Sequence, residues 1–136
     1  MDERDKIELL ERALAAWNGR DLGGVVAELS EDHEWDLTRS DIPGENEVHR
    51  GHEGFLRFAE RWREGLGPTQ SVIEEAWELP DGRLFTLITT WGTGARSGAD
   101  VDLRYVQLAT FDGDKMTRSE IFTDQRKGRA AAGLEP

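Results

Sequence analysis

The chain lacks cysteine, has a single tyrosine among its 136 residues and contains no long apolar run. Without cysteine it can form neither a disulfide bond nor a thiol nucleophile, which fits a cytoplasmic protein. The residues after Met1 are charged and lead directly into a helical pattern, which is not typical of a signal peptide. We therefore expect a cytoplasmic protein without a membrane-spanning segment.

Basic residues are scarce relative to acidic ones. The chain has 17 lysines and arginines against 28 aspartates and glutamates, a net charge of -11. Nucleic acids and anionic membranes bind positively charged surfaces, so neither is expected as a partner. Because no linker rich in proline or serine divides the sequence, we expect a single domain over residues 1–136.

Three helices are predicted from the spacing of apolar residues. The first two apolar faces consist of Ile7, Leu10, Leu14 and Trp17, and of Leu22, Val25, Val26 and Leu29. We expect Gly19 to end the first helix in the left-handed conformation and Asp21 to cap the second. The third helix is expected to begin at Gly51. Its apolar face consists of Phe55, Phe58, Ala59, Trp62 and Leu66.

Strand patterns dominate the rest of the sequence. Alternating apolar residues predict five strands, at residues 31–38, 71–79, 83–93, 101–111 and 116–123. A surface loop is expected at residues 39–50 and a short helix at residues 126–132. A looser connection between the two central strands is indicated by Gly92, Gly94 and Gly98. Helices followed by a meandering antiparallel sheet predict an α+β fold.

The odd-numbered strand positions are expected to face the helices, because they carry most of the apolar side chains. They include Ile73, Trp77, Leu79, Phe85, Leu87, Trp91, Val101, Leu103, Tyr105, Ala109 and Phe111. The even-numbered face is also partly apolar, since Ile88, Val106 and Leu108 lie among threonines. We predict that two copies of the chain form a homodimer through this face.

Three segments together resemble one known family. They are LAAWNGRDL at residues 14–22, RGHEG at residues 50–54, and FDGDK at residues 111–115, which runs on to FTD at 122–124. In these segments the chain resembles the SnoaL-like (polyketide cyclase-like) branch of the nuclear transport factor 2-like superfamily. The resemblance implies a cone-shaped fold, in which a curved mixed or antiparallel sheet wraps around three to four helices and encloses an apolar pocket. It also implies frequent dimers.

The catalytic residues of the better-known relatives are not carried over by this resemblance. Ketosteroid isomerases use a tyrosine, a carboxylate base and a protonated aspartic acid. The matching positions here are Ala13, Leu37 and Gln107. The aspartate base of the cyclases is missing from the strand that holds Tyr105, and the aspartate of limonene epoxide hydrolase-like members matches Ile121. Whether the protein is an enzyme therefore stays open.

Few polar side chains are expected on the pocket face: His33, Thr89, Tyr105, Gln107, Ser119 and Thr123. His33 is the candidate general base, because histidine exchanges protons near neutral pH, and Tyr105 is the candidate to polarise a ligand carbonyl. The alternatives are a core histidine and a buried phenol, each hydrogen-bonded within the protein. Gln107 does not ionise, so it suits ligand orientation.

Aromatic side chains are expected beside these polar groups. The candidates for ligand contact are Trp35, Phe55, Phe58, Trp62 and Trp91. His49, His52 and Glu53 lie close in sequence, but their spacing matches no usual ligand set. Neither a metal nor another cofactor is therefore expected.

From these residues we predict a protein that binds a small apolar or aromatic molecule between helices and sheet. An isomerase, cyclase or hydrolase that uses His33 as general base with Tyr105 is one alternative. A dimerisation or partner-binding module that uses the even-numbered sheet face is another.

Overall fold

The computed structural model describes residues 1–93 and 100–135 of the chain. The helices in these ranges are α1 (Glu3–Asn18), α2 (Leu22–Val26), α3 (Gly51–Leu66) and α4 (Gln125–Ala131). The strands are β1 (Leu29–Asp36), β2 (Val48–Arg50), β3 (Thr69–Glu78), β4 (Leu84–Thr93), β5 (Asp100–Asp112) and β6 (Lys115–Phe122). Within the described ranges, no helix is long and apolar enough to cross a membrane. The predicted turn residues Gly94 and Gly98 lie outside them.

The strands form one curved, mixed sheet in the order β2-β1-β6-β5-β4-β3. β1 and β6 are parallel, and the other neighbouring strands are antiparallel. This arrangement confirms the predicted α+β fold. β2 lies inside the segment predicted as a loop, where it places His49 opposite Trp35 of β1. A strand of three residues is too short to show an alternating pattern, so the sequence did not reveal it.

A tight turn joins α1 to α2. The side chain of Asp21 accepts a hydrogen bond from the Gly24 amide at 2.9 Å, which confirms the predicted cap. The prediction that Gly19 is left-handed was wrong, because its φ is -84° and Arg20 adopts the positive φ of 59°. The Gly19 amide still donates to the carbonyl of Ala15 at 2.9 Å, so the helical bonding continues one residue further than expected.

The two faces of β4 are opposite to those predicted. Its even-numbered residues face the helices, and its odd-numbered residues face outward. In β3, an irregularity between Ile73 and Glu75 turns Trp77 outward, where its ring stacks on Phe85 at 4.4 Å. The positions wrongly predicted to face the helices are Trp77, Leu79, Phe85, Leu87, Thr89 and Trp91. Alternation does not identify the inner face of a strand that is covered on both sides.

Apolar side chains form two clusters, one on each face of the sheet. The inner cluster lies against α1 and α3 and includes Ile88, while the outer cluster lies under α4 and includes Val106 and Leu108. α4 approaches β5 so closely that a Cβ atom on Gly128 would lie 2.7 Å from the Cβ atom of Val106. Three apolar residues suggested a dimer face. Val106 and Leu108 are covered by α4, and Ile88 faces the inner helices.

Candidate functional site

A cavity of about 80 Å³ lies between the helices and the inner face of the sheet. One wall consists of aromatic side chains from α1, β1 and α3, namely Trp17, Trp35, Phe55, Phe58 and Trp62. Neighbouring rings along this wall have centroid separations between 5.5 and 6.5 Å. α3 supplies three of the rings because its apolar residues recur on one helical face. The wall offers a large apolar contact surface to a ligand.

Four polar residues complete the lining: Ser71, Thr90, Tyr105 and Gln107. Ser71 Oγ lies 2.7 Å from Thr90 Oγ1, and both residues share the lining with the phenol of Tyr105. Burial raises the pKa of Tyr105 to about 12, and the nearby Thr90 side chain has a smaller, opposing effect. The phenol is therefore protonated at neutral pH and can act as a hydrogen-bond donor.

Gln107 connects the cavity to a buried polar group behind it. Its amide nitrogen Nε2 lies 3.2 Å from Ser119 Oγ and 3.9 Å from Met116 Sδ. Ser119 Oγ in turn lies 3.0 Å from Nε2 of His33. His33 and Ser119 are fully buried, and neither lines the cavity. The sequence correctly placed both residues on the inner face of the sheet. They lie outside the cavity lining, where Ser119 contacts Gln107 and His33 contacts Ser119.

Burial is the main reason that the pKa of His33 falls to about 4; the nearby His52 contributes to the decrease, and Asp32 opposes it. The imidazole is therefore neutral at physiological pH. Its Nδ1 atom has no hydrogen-bond partner among the described residues. A neutral, enclosed imidazole outside the cavity is a weak proton acceptor for a ligand held inside it.

The structure brings together six of the predicted site residues around the cavity: Trp35, Phe55, Phe58, Trp62, Tyr105 and Gln107. Ser71 and Thr90 also line it and were missed. Thr90 was missed because the sequence pattern assigned the inner and outer faces of β4 the wrong way round. Ser71 stood at the predicted start of its strand and carried no apolar signal. Its inner position follows from the same odd-numbered alternation that placed Ile73.

Three predicted site residues lie elsewhere. Thr89 and Trp91 are on the outer face of β4, and Trp91 is 45% exposed. The hydroxyl of Thr123 donates to the carbonyl of Ser40 at 2.5 Å and so ties the end of β6 to the segment after β1. These placements correct the expectation that all three face the cavity.

The segment between β1 and β2 covers part of the cavity, since Ile42 contributes to its lining. Glu45 in this segment accepts hydrogen bonds from Arg61 of α3 at 3.0 and 3.3 Å, and lies 3.6 Å from Nε2 of His49. The segment is thereby attached to α3 by side-chain contacts. The other histidine near it, His52, bonds the carbonyl of Leu29 at 2.9 Å.

Residues 10–119 of the chain match a family model described as a SnoaL-like domain. No curated protein matches the chain significantly.

Solved structures with the same fold include an NTF2-like protein of unknown function from Burkholderia pseudomallei, 22% identical, with a TM-score of 0.76 over 93% of this chain and 95% of that one. A second is TerC co-crystallised with polyporic acid, 22% identical, with a TM-score of 0.74 over 95% and 98% of the two chains. A third, from Catenulispora acidiphila, has a ketosteroid isomerase-like fold and contains trimethylamine; it is 15% identical, with a TM-score of 0.73 over 93% of each chain. The likeness extends over nearly the whole chain.

Proposed function

The chain belongs to the SnoaL-like domain family, and we propose that it binds a small, mostly apolar organic molecule in the cavity between helices and sheet. The observation that carries this proposal is the lining, in which a row of aromatic rings faces a few hydroxyl and amide groups. Apolar walls with a small number of oriented polar groups are typical of small-molecule sites. The crystals of related folds with polyporic acid and with trimethylamine support the same use of the fold.

The size of the cavity restricts the ligand. An apolar cavity of about 150 Å³ is sufficient for benzene. At about 80 Å³, the cavity takes a molecule of that size only after its wall moves outward slightly. Ile42 belongs to the part of this wall outside the named helices and strands, and its backbone bonds lie within its own segment, to Ser40 Oγ at 3.2 Å and to the Glu45 amide at 2.9 Å.

The geometry gives less support to an isomerase, cyclase or hydrolase that uses His33 as general base. His33 does not line the cavity, and its low pKa makes it a poor base at neutral pH. Tyr105 is well placed to donate a hydrogen bond to a ligand, but its high pKa excludes it as a base under the same conditions. Binding without proton abstraction therefore agrees better with both groups.

Fluorobenzene is a suitable probe, because it is apolar, compact and available at millimolar concentration. Three tryptophans line the cavity, so we expect binding to change the intrinsic fluorescence, and calorimetry gives the affinity independently. Ala13→Leu places three extra carbon atoms in the lining and should weaken binding at least tenfold. The matched control is Val72→Leu, because Val72 is 47% exposed on the sheet.

The result that would overturn the proposal is an absence of fluorobenzene binding by the folded wild-type protein, or equal binding by Ala13→Leu. If Ala13→Leu does not fold, Leu103→Phe fills the cavity from the opposite wall. Melting temperatures of all variants distinguish a filled cavity from a damaged fold.

We also propose that two copies associate through the outer face of the sheet and that the protein is cytoplasmic. Val72 and Trp91 remain exposed on adjacent strands of this face, β3 and β4, outside the area covered by α4. Light scattering at micromolar concentration should give the mass of a dimer, and Trp91→Ser should shift it toward that of one chain. A wild-type monomer would refute the dimer.

A further inference from the structure

Gln107 is the polar group in the cavity whose orientation is determined most fully by its neighbours. The side chain is 3% exposed and lines the cavity from β5. A glutamine amide has one end that donates hydrogen bonds and one that accepts them. The end that faces the cavity therefore decides which ligand groups Gln107 can bond.

The neighbours of the amide identify its two ends. Met116 Sδ lies 3.9 Å from the Gln107 nitrogen, and a thioether sulfur can only accept a hydrogen bond. Ser119 Oγ lies 3.2 Å from the same nitrogen. Both contacts engage the NH₂ group of Gln107, and no side-chain hydrogen bond among the described residues engages Oε1, which is therefore the end left for a ligand.

Ser119 is itself held in place. It is fully buried, and its oxygen lies 3.0 Å from His33 Nε2 and 3.6 Å from Met116 Sδ. With one hydroxyl proton shared between these two neighbours, the oxygen retains a lone pair for the Gln107 amide. Rotation of the amide by 180° would set its carbonyl against an acceptor-only sulfur, and Ser119 would have to donate its hydroxyl proton to Gln107 instead of to His33 or Met116.

We propose that Gln107, oriented by Ser119, presents its carbonyl oxygen Oε1 to the cavity and selects neutral ligands that carry an O–H or N–H donor. This inference rests on the proposed function, and it specifies the ligand class. A phenol, an alcohol or a primary amide meets the requirement. Ethers, ketones and halogenated hydrocarbons of the same size lack the donor.

The restriction to neutral ligands comes from the rest of the lining. None of the described residues that line the cavity is an aspartate, glutamate, lysine, arginine or histidine. A carboxylate or ammonium group would enter an apolar site without a counter-ion. The free energy required to desolvate its charge is much larger than the free energy gained from a single hydrogen bond. Tyr105 adds a donor two residues along β5, so an alcohol oxygen that donates to Gln107 can accept from Tyr105.

Phenol and fluorobenzene test the inference because they have nearly the same shape and differ in the donor. We expect the wild-type protein to bind phenol about tenfold more tightly than fluorobenzene, as measured by calorimetry. Gln107→Leu keeps the approximate volume and removes the acceptor, so it should reverse this preference while fluorobenzene still binds. Benzoate and benzylammonium should bind neither protein.

Ser119→Ala is the decisive variant for the positioning residue. It leaves Gln107 in place and removes the hydrogen bond that orients the amide, so the preference for phenol should fall several-fold with fluorobenzene affinity unchanged. The side-chain NH₂ resonances of Gln107 should shift in this variant without ligand, which a merely structural role for Ser119 does not require. Thr117→Ala, on the same strand but outside the cavity lining, is the matched control and should change neither property.

The outcomes separate the two proposals. Equal binding of phenol and fluorobenzene by the wild-type protein, or a phenol preference that survives Gln107→Leu, would overturn the assignment of Gln107 and leave the binding cavity intact. Failure of both probes to bind would overturn the proposed function itself.

Discussion

The guanidinium of Arg61 lies 3.0 Å from the carboxylate of Glu45 and thereby attaches the segment between β1 and β2 to α3. The attached segment contributes Ile42 to the cavity lining. Opening this side of the cavity therefore requires the contact between Arg61 and Glu45 to stretch or break. The rate of ligand exchange should depend on this contact.

We predict that Arg61→Ala accelerates both entry and release of fluorobenzene several-fold, with a smaller change in affinity. The cost in stability should stay below about 1 kcal/mol, because Arg61 is partly exposed and exposed ion pairs contribute little. Stopped-flow tryptophan fluorescence measures both rates. Arg4→Ala, which removes an exposed pair with Glu8 on α1, is the control; equal rates in all three proteins would contradict the prediction.

The second prediction concerns pH and His33. Its folded pKa of about 4 lies below the ordinary value of 6.5, so the unfolded chain binds the proton more strongly. The contribution to stability is complete above pH 6.5 and is lost as the pH falls toward 4, on the order of 2 kcal/mol by pH 5.

His33→Gln should therefore lose less stability than the wild-type protein between pH 7 and pH 5, since glutamine does not titrate. Urea denaturation at several pH values measures the difference. Parallel profiles for wild type and His33→Gln would show that the imidazole titrates normally.

The third prediction compares two glycines in helices. At Gly128 a Cβ atom would lie within 3.0 Å of three side-chain atoms of Val106, so Gly128→Ala should destabilise the protein by about 1–3 kcal/mol through overpacking. Gly65 in α3 has no atom within 4 Å of that position, so Gly65→Ala should stabilise by about 0.5–1 kcal/mol through helix propensity. Thermal unfolding of the two variants gives opposite shifts in Tm. Shifts of the same sign would show that α4 packs differently against β5.

The fourth prediction concerns an ion pair on the outer face of the sheet. Arg118 contacts the carboxylates of Glu34 and Asp36, and Asp36 is 5% exposed. Because Arg118→Ala leaves a buried carboxylate without its partner, we expect a loss of about 2 kcal/mol in the free energy of unfolding. Asp36→Asn combined with Arg118→Ala should recover part of this loss. An additive double variant, measured by urea denaturation, would exclude coupling between the two residues.

Amphipathic periodicity was sufficient to predict the inner helices, because each buries only one face, but it wrongly assigned Leu29 to α2, whereas Leu29 begins β1. Alternation placed β5 correctly, with Leu103, Tyr105 and Gln107 directed to the cavity, although α4 also covers its outer face at Val106 and Leu108. It was not sufficient for β4, whose two faces are both covered, one by the inner helices and the other by Trp77 and its neighbours.

The candidate site likewise has one part that the sequence could predict and one that it could not. Its aromatic wall was predictable from the apolar faces of α1 and α3. The arrangement of His33 behind Gln107 was not, because it depends on the parallel pairing of β1 with β6, which sets Trp35 opposite Ser119. Pairing between strands so distant in the sequence leaves no local pattern in either segment.

That parallel pairing also bears on how the chain is made. β6 lies between β1 and the rest of the sheet, so the pair of β1 and β2 cannot join the other strands until β6 has also left the ribosome. A chain truncated before residue 115 would lack β6, the strand that joins β1 to the other half of the sheet. Its first 66 residues, which contain the three inner helices, would then have no connection to that half through the sheet. Folding of this half of the sheet should therefore wait for β6 and proceed slowly, since its decisive contacts join segments that are distant in the sequence.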